Sequence, residues 1–222
     1  MKNNKIIQER LNLINSLKAR KIIISENVYN AMLNVPRHLF LPDLSISKAY
    51  IDTPQQIGKG QTISAPHMNA MMCEYLEIKP KDKILEIGTG SGYHAAILAE
   101  LTGKEGKIYT IERIPELAIK AEKKLKELSY SNVEVIVSDG TKGLESKAPF
   151  DKILVTAASP KIPKSLLMQL SPNDGILCIP VGKRHWNQDL LVIHRIKEKY
   201  VKKNVCQVIF VPLIGENGFD EN

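Results

Sequence analysis

The segment Glu86-Ile-Gly88-Thr-Gly90-Ser-Gly92-Tyr93 sets three glycines at alternate positions, directly after an apolar run and before a helical pattern. Glycine has no Cβ, so such a loop turns sharply and lets backbone approach a ligand closely. In open α/β sheets ligands lie beyond the carboxyl ends of the strands, where this loop falls. Glu112 ends the next strand pattern, 24 residues past Gly88, where a carboxylate accepts hydrogen bonds from a ribose diol. Asp139-Gly140 follows the third, where a short acid reaches an adenine amine. The spacing G-x-G-x-G, with Tyr93 next, departs from the G-x-G-x-x-G that cradles a pyrophosphate. A nucleoside without phosphates is the expected ligand. Taken singly, the glycines can also be read as a tight turn, Glu112 as a solvated strand end and Asp139 as an Asx-turn; their joint placement at strand ends favours a site.

The elements that must position these residues follow from periodicity. Lys83–Ile87, Lys107–Glu112, Val133–Val137 and Asp151–Thr156 read as strands, with helices over 93–101, 115–128 and 163–170 between or after them. Residues 175–181, 190–196 and 205–211 read as three further strands, the last two joined by a short charged turn. This alternation predicts a doubly wound, Rossmann-like α/β sheet of about seven strands with the last strand antiparallel. Ahead of it, residues 5–18 carry Ile6, Leu13, Ile14 and Leu17 at helical spacing, and Ser25 stands as N-cap of a helix over 26–34. Residues 35–64 read as loop-rich, with 53–63 facing a substrate, and a third helix runs over 65–76. The expected organisation is a helical N-terminal extension over 1–80, a ligand-binding core over 81–213 and a flexible acidic tail over 214–222.

The chain has 222 residues, 43% apolar and 25% charged, which excludes whole-chain disorder. No apolar run reaches the ~18 residues of a membrane span. Met1-Lys-Asn-Asn-Lys leads into a polar-interleaved helix rather than a secretory signal, and Cys73, Cys178 and Cys206 lie far apart. A cytoplasmic, reduced protein without metal is expected. The net charge of +7 sits at two segments: residues 1–50 carry eight Lys/Arg against three Asp/Glu, and residues 183–203 seven against two. Residues 51–182, which hold the motifs, have sixteen of each. A solvated lysine-rich surface is therefore preferred to a nucleic-acid footprint, and Trp186 is read as a packed turn residue.

Leu85-Glu-Ile-Gly-Thr-Gly-Ser-Gly-Tyr93 resembles the first motif of class I methyltransferases that use S-adenosylmethionine. More narrowly, Val35-Pro-Arg37, Gly58-Lys-Gly-Gln-Thr-Ile-Ser64, Ile111-Glu-Arg113, Asp139-Gly140 and Val155-Thr-Ala-Ala158 stand in the order seen in protein-L-isoaspartate O-methyltransferases. The resemblance spans nearly the whole chain. It departs at Ser138, where the family usually has Gly, and at His67, where Tyr is common. It implies S-adenosylmethionine held by Glu86, Gly88, Gly90, Gly92, Tyr93, Glu112, Arg113, Asp139 and Gly140, with S-adenosylhomocysteine as product. It implies a catalytic serine at Ser64, and an acceptor side formed by Val35, Arg37, Ile57, Thr62, Ile63, His67, Thr156, Ala157 and Ala158. The implied substrates are isoaspartyl-containing proteins and peptides, bound by a monomer, with neither membrane nor nucleic acid as partner.

The implied reaction moves the sulfonium methyl to the free α-carboxylate of an isoaspartyl residue; the ester then recyclises toward a normal linkage. A carboxylate, with a reference pKa of about 4, is already ionised at neutral pH, so no strong base is required. That agrees with a sequence in which His38, His67, His94, His185 and His194 form no evident Asp-His or Cys-His constellation. Neutral donors such as Ser64 and Thr62 suit a nucleophile that must stay reactive. Ser64 reads equally as the N-cap of the helix that follows. Three alternatives remain open: a methyltransferase acting on RNA, a non-catalytic adenosyl-binding protein, and a nicotinamide-dependent oxidoreductase. The first lacks an Asn-Pro-Pro-aromatic or Asp-Pro-Pro-aromatic motif, since that place reads Thr156-Ala-Ala-Ser159, and the last conflicts with Tyr93.

Overall fold

The computed structural model describes residues 2–41, 45–184 and 186–221; the expectations for Pro42 and His185 lie outside them. Strands β3 (Lys83–Ile87), β4 (Lys107–Glu112), β5 (Val133–Val137) and β6 (Lys152–Val155) carry apolar runs with the β-branched residues that favour strands. With β7 (Asn173–Gly182), β8 (Gln188–Ile196) and β9 (Lys199–Val208) they form one sheet in the order β5-β4-β3-β6-β7-β8-β9. The first five strands are mutually parallel; β8 pairs antiparallel with β7, and β9 with β8. The doubly wound α/β expectation holds, and β8 is the strand that runs against the rest.

Helices cover both faces. On one, α5 (Tyr93–Thr102) lies on the sheet beside α4 (Pro66–Leu76), under α1 (Lys2–Ala19) and α2 (Glu26–Asn34). Residues Ala95 to Leu98 of α5 are all buried, because the sheet lies below them and α2 above. Ser25 caps α2 as expected, its Oγ accepting from Val28 N at 3.2 Å. Ile14 and Leu17 are buried while Ile6 and Leu13 pack at the rim, so the spacing read from α1 marks its inward face. The opposite face packs Leu85, Ile87, Tyr109, Phe150, Ile153 and Val155 against α7 (Lys164–Gln169), whereas α6 (Pro115–Glu127) leans on β4 and β5 from the same side as α5.

The larger departures from the sequence reading lie in β9 and in residues 35–64. β9 begins at Lys199 rather than Val205, because a two-residue turn at Lys197 (φ 56°) and Glu198 starts a polar, exposed edge strand. Its last apolar residues, 209–211, leave the sheet, and Val211 O accepts from Ala158 N at 2.8 Å. The stretch read as a substrate-facing loop contains a hairpin, β1 (Gln55–Gly58) and β2 (Gln61–Ile63), closed by Gly58, Lys59 and Gly60 at positive φ. Lys59 Nζ ties its tip to Glu116 Oε1 at 2.7 Å. A 3-10 turn at Arg37–Phe40 and the short α3 (Ile46–Ala49) fill the rest of the described part of that region.

The acidic segment 214–221, expected to be a free tail, is folded back. Glu216 N donates to Asp139 Oδ2 at 2.9 Å, Asn217 N to Thr141 Oγ1 at 3.1 Å, and Phe219 N to Leu213 O at 2.8 Å. Lys142 pairs with Glu216 at 2.7 Å, and Arg113 with Glu221. Trp186, expected to pack in its turn, is 70% exposed. Among the described residues no helix is long and apolar enough to cross a membrane.

Two buried titratable groups sit between the sheet and α4–α5. Strand alternation sends Ile84 and Glu86 to that face and Leu85 and Ile87 to the other. Glu86 is fully buried, hydrogen-bonded to Thr110 Oγ1, and burial pushes its carboxyl up to about 8, with Glu112 adding to the rise. His94 is pushed down to about 3 by burial and by the Arg37 charge. From the ordinary carboxyl value of 4.5 up to about 8, the folded chain keeps a proton on Glu86 that the unfolded chain has lost. Stability therefore falls as pH rises through that window. For His94 the unfolded chain protonates first as pH drops from 6.5 toward 3, so stability falls on the acid side. Glu86→Gln is expected to flatten the alkaline fall: urea titrations at about pH 5 and about pH 8.5 should differ less for the variant than for the parent. An undiminished difference would remove Glu86 as its source.

Candidate active site

The glycine loop leaves the carboxyl end of β3, the middle one of the five parallel strands. Gly88 has φ +99° and Gly90 φ +54°, both in the region that favours glycine. A Cβ at Gly88 would overlap the Thr156 hydroxyl, which donates to Gly88 O at 2.8 Å and Ile87 O at 3.1 Å. Gly88 N donates to Ile111 O at 2.8 Å. The ends of β3, β4 and β6 are thereby tied together. Glu112, 6% exposed at the end of β4, accepts from Gly90 N at 2.9 Å and from Ile114 N at 3.0 Å, which aims its carboxylate along the loop.

Beyond these strand ends lies a cavity of about 310 Å³. Gly88, Gly90, Glu112, Arg113 and Gly140 border it, with Ile111, Ile114 and Leu213 as apolar walls. Both arginines at its rim are engaged, Arg113 with Glu221 and Arg184 with Asp220 O at 3.2 Å. A second cavity of about 180 Å³ opens between the start of α4 and the chain following β9, bordered by Ser64, His67, Met68 and Val211. Thr62 and Thr156 line both cavities. They also line a small void of about 30 Å³ with Ser64, Asn69, Ser91 and His94. Asn69 Nδ2 donates to His94 Nδ1 at 3.0 Å, leaving His94 Nε2 to face Cys73 Sγ at 3.3 Å; the buried Asn69 Oδ1 has no partner among the described residues. A larger groove of about 420 Å³ lies across Ile57, between the hairpin and the lysines of α6, away from the acidic and hydroxyl groups of the other two.

Several sequence-predicted residues fall at these cavities: Ser64, His67, Thr62, Thr156, Gly88, Gly90, Glu112, Arg113 and Gly140. Ile57 and Ala157, expected on the acceptor side, line the larger of the two cavities, and Ile63 only the small void. Others go elsewhere. Val35 is fully buried in the helical layer, and so is Arg37, whose Nε donates to Ala49 O at 3.0 Å and NH2 to Ser64 O at 2.9 Å. The Arg37 guanidinium stacks 5.0 Å from the Tyr93 ring, and burial holds it below its usual range. Tyr93 lies beneath the loop against Phe40, and Gly92 packs toward Ala121 and Leu125 of α6. Ala158 is buried, hydrogen-bonded to Val211 and Leu213. Glu86 points into the helical layer. Asp139 caps the turn that follows it, Oδ1 accepting from Thr141 N at 2.9 Å and Oδ2 from the tail.

Ser64 is not the N-cap of α4: the cap position is Ala65, followed by Pro66, and the Ser64 hydroxyl has no hydrogen-bond partner among the described residues. The cap comes from Asp52, whose Oδ1 accepts from His67 N at 2.8 Å and faces His67 Nδ1 at 2.9 Å. An Asp–His pair thus exists where the sequence revealed none, since 15 residues separate its members. Val211–Ile214, Arg184 and Glu221 also border the larger cavity, brought there by chain return that no local pattern announces. Among the described residues no group of three or more His, Cys, Asp or Glu is placed to hold a metal ion.

Residues 8–218 match the family model of protein-L-isoaspartate(D-aspartate) O-methyltransferase. A protein-L-isoaspartate O-methyltransferase 2 of Archaeoglobus fulgidus is 54% identical over 202 residues, covering 90% of each chain. A protein-L-isoaspartate O-methyltransferase of Ignicoccus hospitalis is 52% identical over 209 residues, 94% of this chain and 99% of that one. Among solved structures, a Plasmodium falciparum chain described as a protein-L-isoaspartate O-methyltransferase, in complex with S-adenosyl-L-homocysteine, superposes with TM-score 0.82 at 30% identity, covering 92% of this chain and 98% of that one. By the family model over nearly its whole length and by relatives at about half identity, this chain belongs to the protein-L-isoaspartate(D-aspartate) O-methyltransferase family.

Proposed function

We propose that methyl transfer takes place where the two cavities meet, at Thr62 and Thr156; the sharing of these two residues is the observation that carries the reading. As a member of its family, the chain is an S-adenosyl-L-methionine-dependent methyltransferase acting on the free α-carboxylate of L-isoaspartyl residues. S-adenosylmethionine supplies an electrophilic methyl on a sulfonium and leaves as S-adenosylhomocysteine. The cavity of about 310 Å³ fits such a group: Gly88 and Gly90 offer close backbone, Glu112 a carboxylate for a ribose diol, and Ile111, Ile114 and Leu213 apolar walls for a base. Its arginines are already engaged, so it has no free cation cluster for phosphates among the described residues. Glu112, Arg113, Gly88, Gly90 and Gly140 are the proposed cofactor residues; Asp139 serves by holding the turn at Gly140 and the tail together.

The acceptor enters the cavity of about 180 Å³. Ser64 is the proposed catalytic residue, its unengaged hydroxyl free to donate to one carboxylate oxygen while the other attacks in line. Because the nucleophile is already an anion, the chain's task is alignment and partial dehydration. A neutral hydroxyl orients the carboxylate without quenching it, whereas a lysine or arginine would bind it too tightly to react. Thr62 and Thr156 hold the junction. The ester that forms recyclises to a succinimide, which reopens in part to normal aspartyl linkage. Segment 1–80 presents the acceptor, 81–213 binds the cofactor, and 214–221 closes over its rim. The chain acts as a monomer in the cytoplasm on damaged proteins and peptides, without nucleic acid.

Three outcomes test this. With labelled S-adenosylmethionine and a peptide pair differing only in Asp against isoAsp, base-labile label should appear on the isoAsp peptide alone; label on RNA instead would overturn the acceptor assignment. Ser64→Ala should lower kcat by about 10- to 100-fold, with S-adenosylhomocysteine affinity unchanged. Gly88→Ala forces a Cβ into the Thr156 hydroxyl at φ +99°, and calorimetry should show S-adenosylhomocysteine binding weakened at least about tenfold. Unchanged binding would move the cofactor away from this loop.

A further inference from the structure

We infer that the groove between β1 and α6 is a holding site for the client chain, which lies along the free edge of β1 as an extended, acidic segment flanking the isoaspartyl residue. The inference rests on the acceptor reading of the cavity beside Ser64. The reaction as derived above makes no use of this groove of about 420 Å³. Phe40, Ile57 and Leu117 give it an apolar lining. Lys120, Lys123 and Lys124 stand along one wall, at i, i+3 and i+4 of α6. Lys124 pairs with Glu127 at 2.6 Å, whereas Lys120 and Lys123 enter no ion pair among the described residues. The opposite wall is β1, which pairs with β2 on one side only, in a register that skips Ile57. Residues of β1 border the groove and none of β2 does, so the unpaired edge of β1 faces it. Along that edge Gln55–Gly58 makes no further backbone hydrogen bond among the described residues.

These features select one occupant. A two-stranded hairpin gains from a third strand, and main-chain pairing accepts almost any sequence, which suits clients that share only a damaged linkage. The apolar lining takes alternate side chains of such a strand. The unpaired lysines, set on the facing helix rather than on the edge itself, favour carboxylates among the others and repel a lysine-rich segment. The groove is also aligned with the chemistry. Pro54, directly before β1, borders the cavity beside Ser64, and Gly58, at the far end of the strand, borders the groove. The four residues of β1 span about 13 Å at ~3.3 Å per residue. An isoaspartyl residue seated at Ser64 therefore has its neighbours about three to five positions away beside Lys120 and Lys123. Short peptides gain nothing from the groove; unfolded segments of a client do.

The test uses the full chain and isoaspartyl peptides built on one short core: the core alone, the core with a glutamate-rich flank on either its N-terminal or C-terminal side, and the same with lysine. One of the glutamate flanks should lower KM about tenfold relative to the core, with kcat little changed, and the gain should fade as salt is raised. N-methylation of alternate amides in that flank should abolish the gain, since it blocks pairing with β1 and leaves the charges in place. Lys120→Glu combined with Lys123→Glu should transfer the preference to the lysine flank, while KM for the core and S-adenosylhomocysteine affinity stay as in the parent. Lys126→Glu, on the same helix but outside the groove, should leave the preference as it is. If neither glutamate flank lowers KM, or if the gain survives charge reversal or N-methylation, the groove does not hold the client. A core peptide that accepts no methyl overturns the acceptor reading itself, whatever the flanks do.

Discussion

The contact between Gly88 and Thr156 at the centre of the sheet is the constraint on which the rest of the site depends. β3 is flanked by β4 and β6, and the chain must leave it without a side chain at the first turn. The Thr156 hydroxyl occupies the volume a Cβ would need and bonds both carbonyls of the turn. From this knot the loop is aimed over β4, where Glu112 receives Gly90 N. The same residue lines both cavities, so one short contact sets how the two meet.

The cavity beside Ser64 needs its own anchor, because Ser64 stands outside any regular element. Arg37 supplies it by a costly device. A guanidinium buried without a carboxylate within hydrogen-bond reach forfeits solvation, and it is stabilised by two carbonyls and the face of Tyr93. Its planar fork reaches Ala49 O and Ser64 O together, which a lysine could not do with the same rigidity. Tyr93 belongs to the first turn of α5, directly after the glycines. The helical layer and the glycine loop are therefore joined through one ring and one cation, and Ser64 inherits its position from both.

Strands with unbroken apolar runs, the glycine loop and Glu112 were legible because each carries its own local signal. Glu86 misled for a reason of parity: adjacency to the loop suggests the cleft, but the period of two turns it into the helical layer beside Thr110. Val35 and Arg37 belong to a motif whose presence is informative and whose contacts are internal. The hairpin at 55–63 hid among glycines and prolines that read as loop, and β9 hid because an edge strand has no reason to be apolar before Val205. The tail and the Asp52–His67 pair could not be found locally at all. Both arise from segments far apart in sequence, and only the chain's return places Glu216 at Asp139 or Asp52 at the start of α4.

The open side of the sheet has a consequence for the company this protein keeps. β9 is a ten-residue edge strand, with Lys199, Tyr200, Val201, Lys202 and Lys203 exposed along its outer half. An edge of that length is a template for any unpaired strand. Lysines along the edge make docking there cost desolvation and charge repulsion, a guard natural sheets use against edge-to-edge growth. The lysines of this strand, part of the solvated basic surface expected from the sequence, then act as insulation of the sheet's rim.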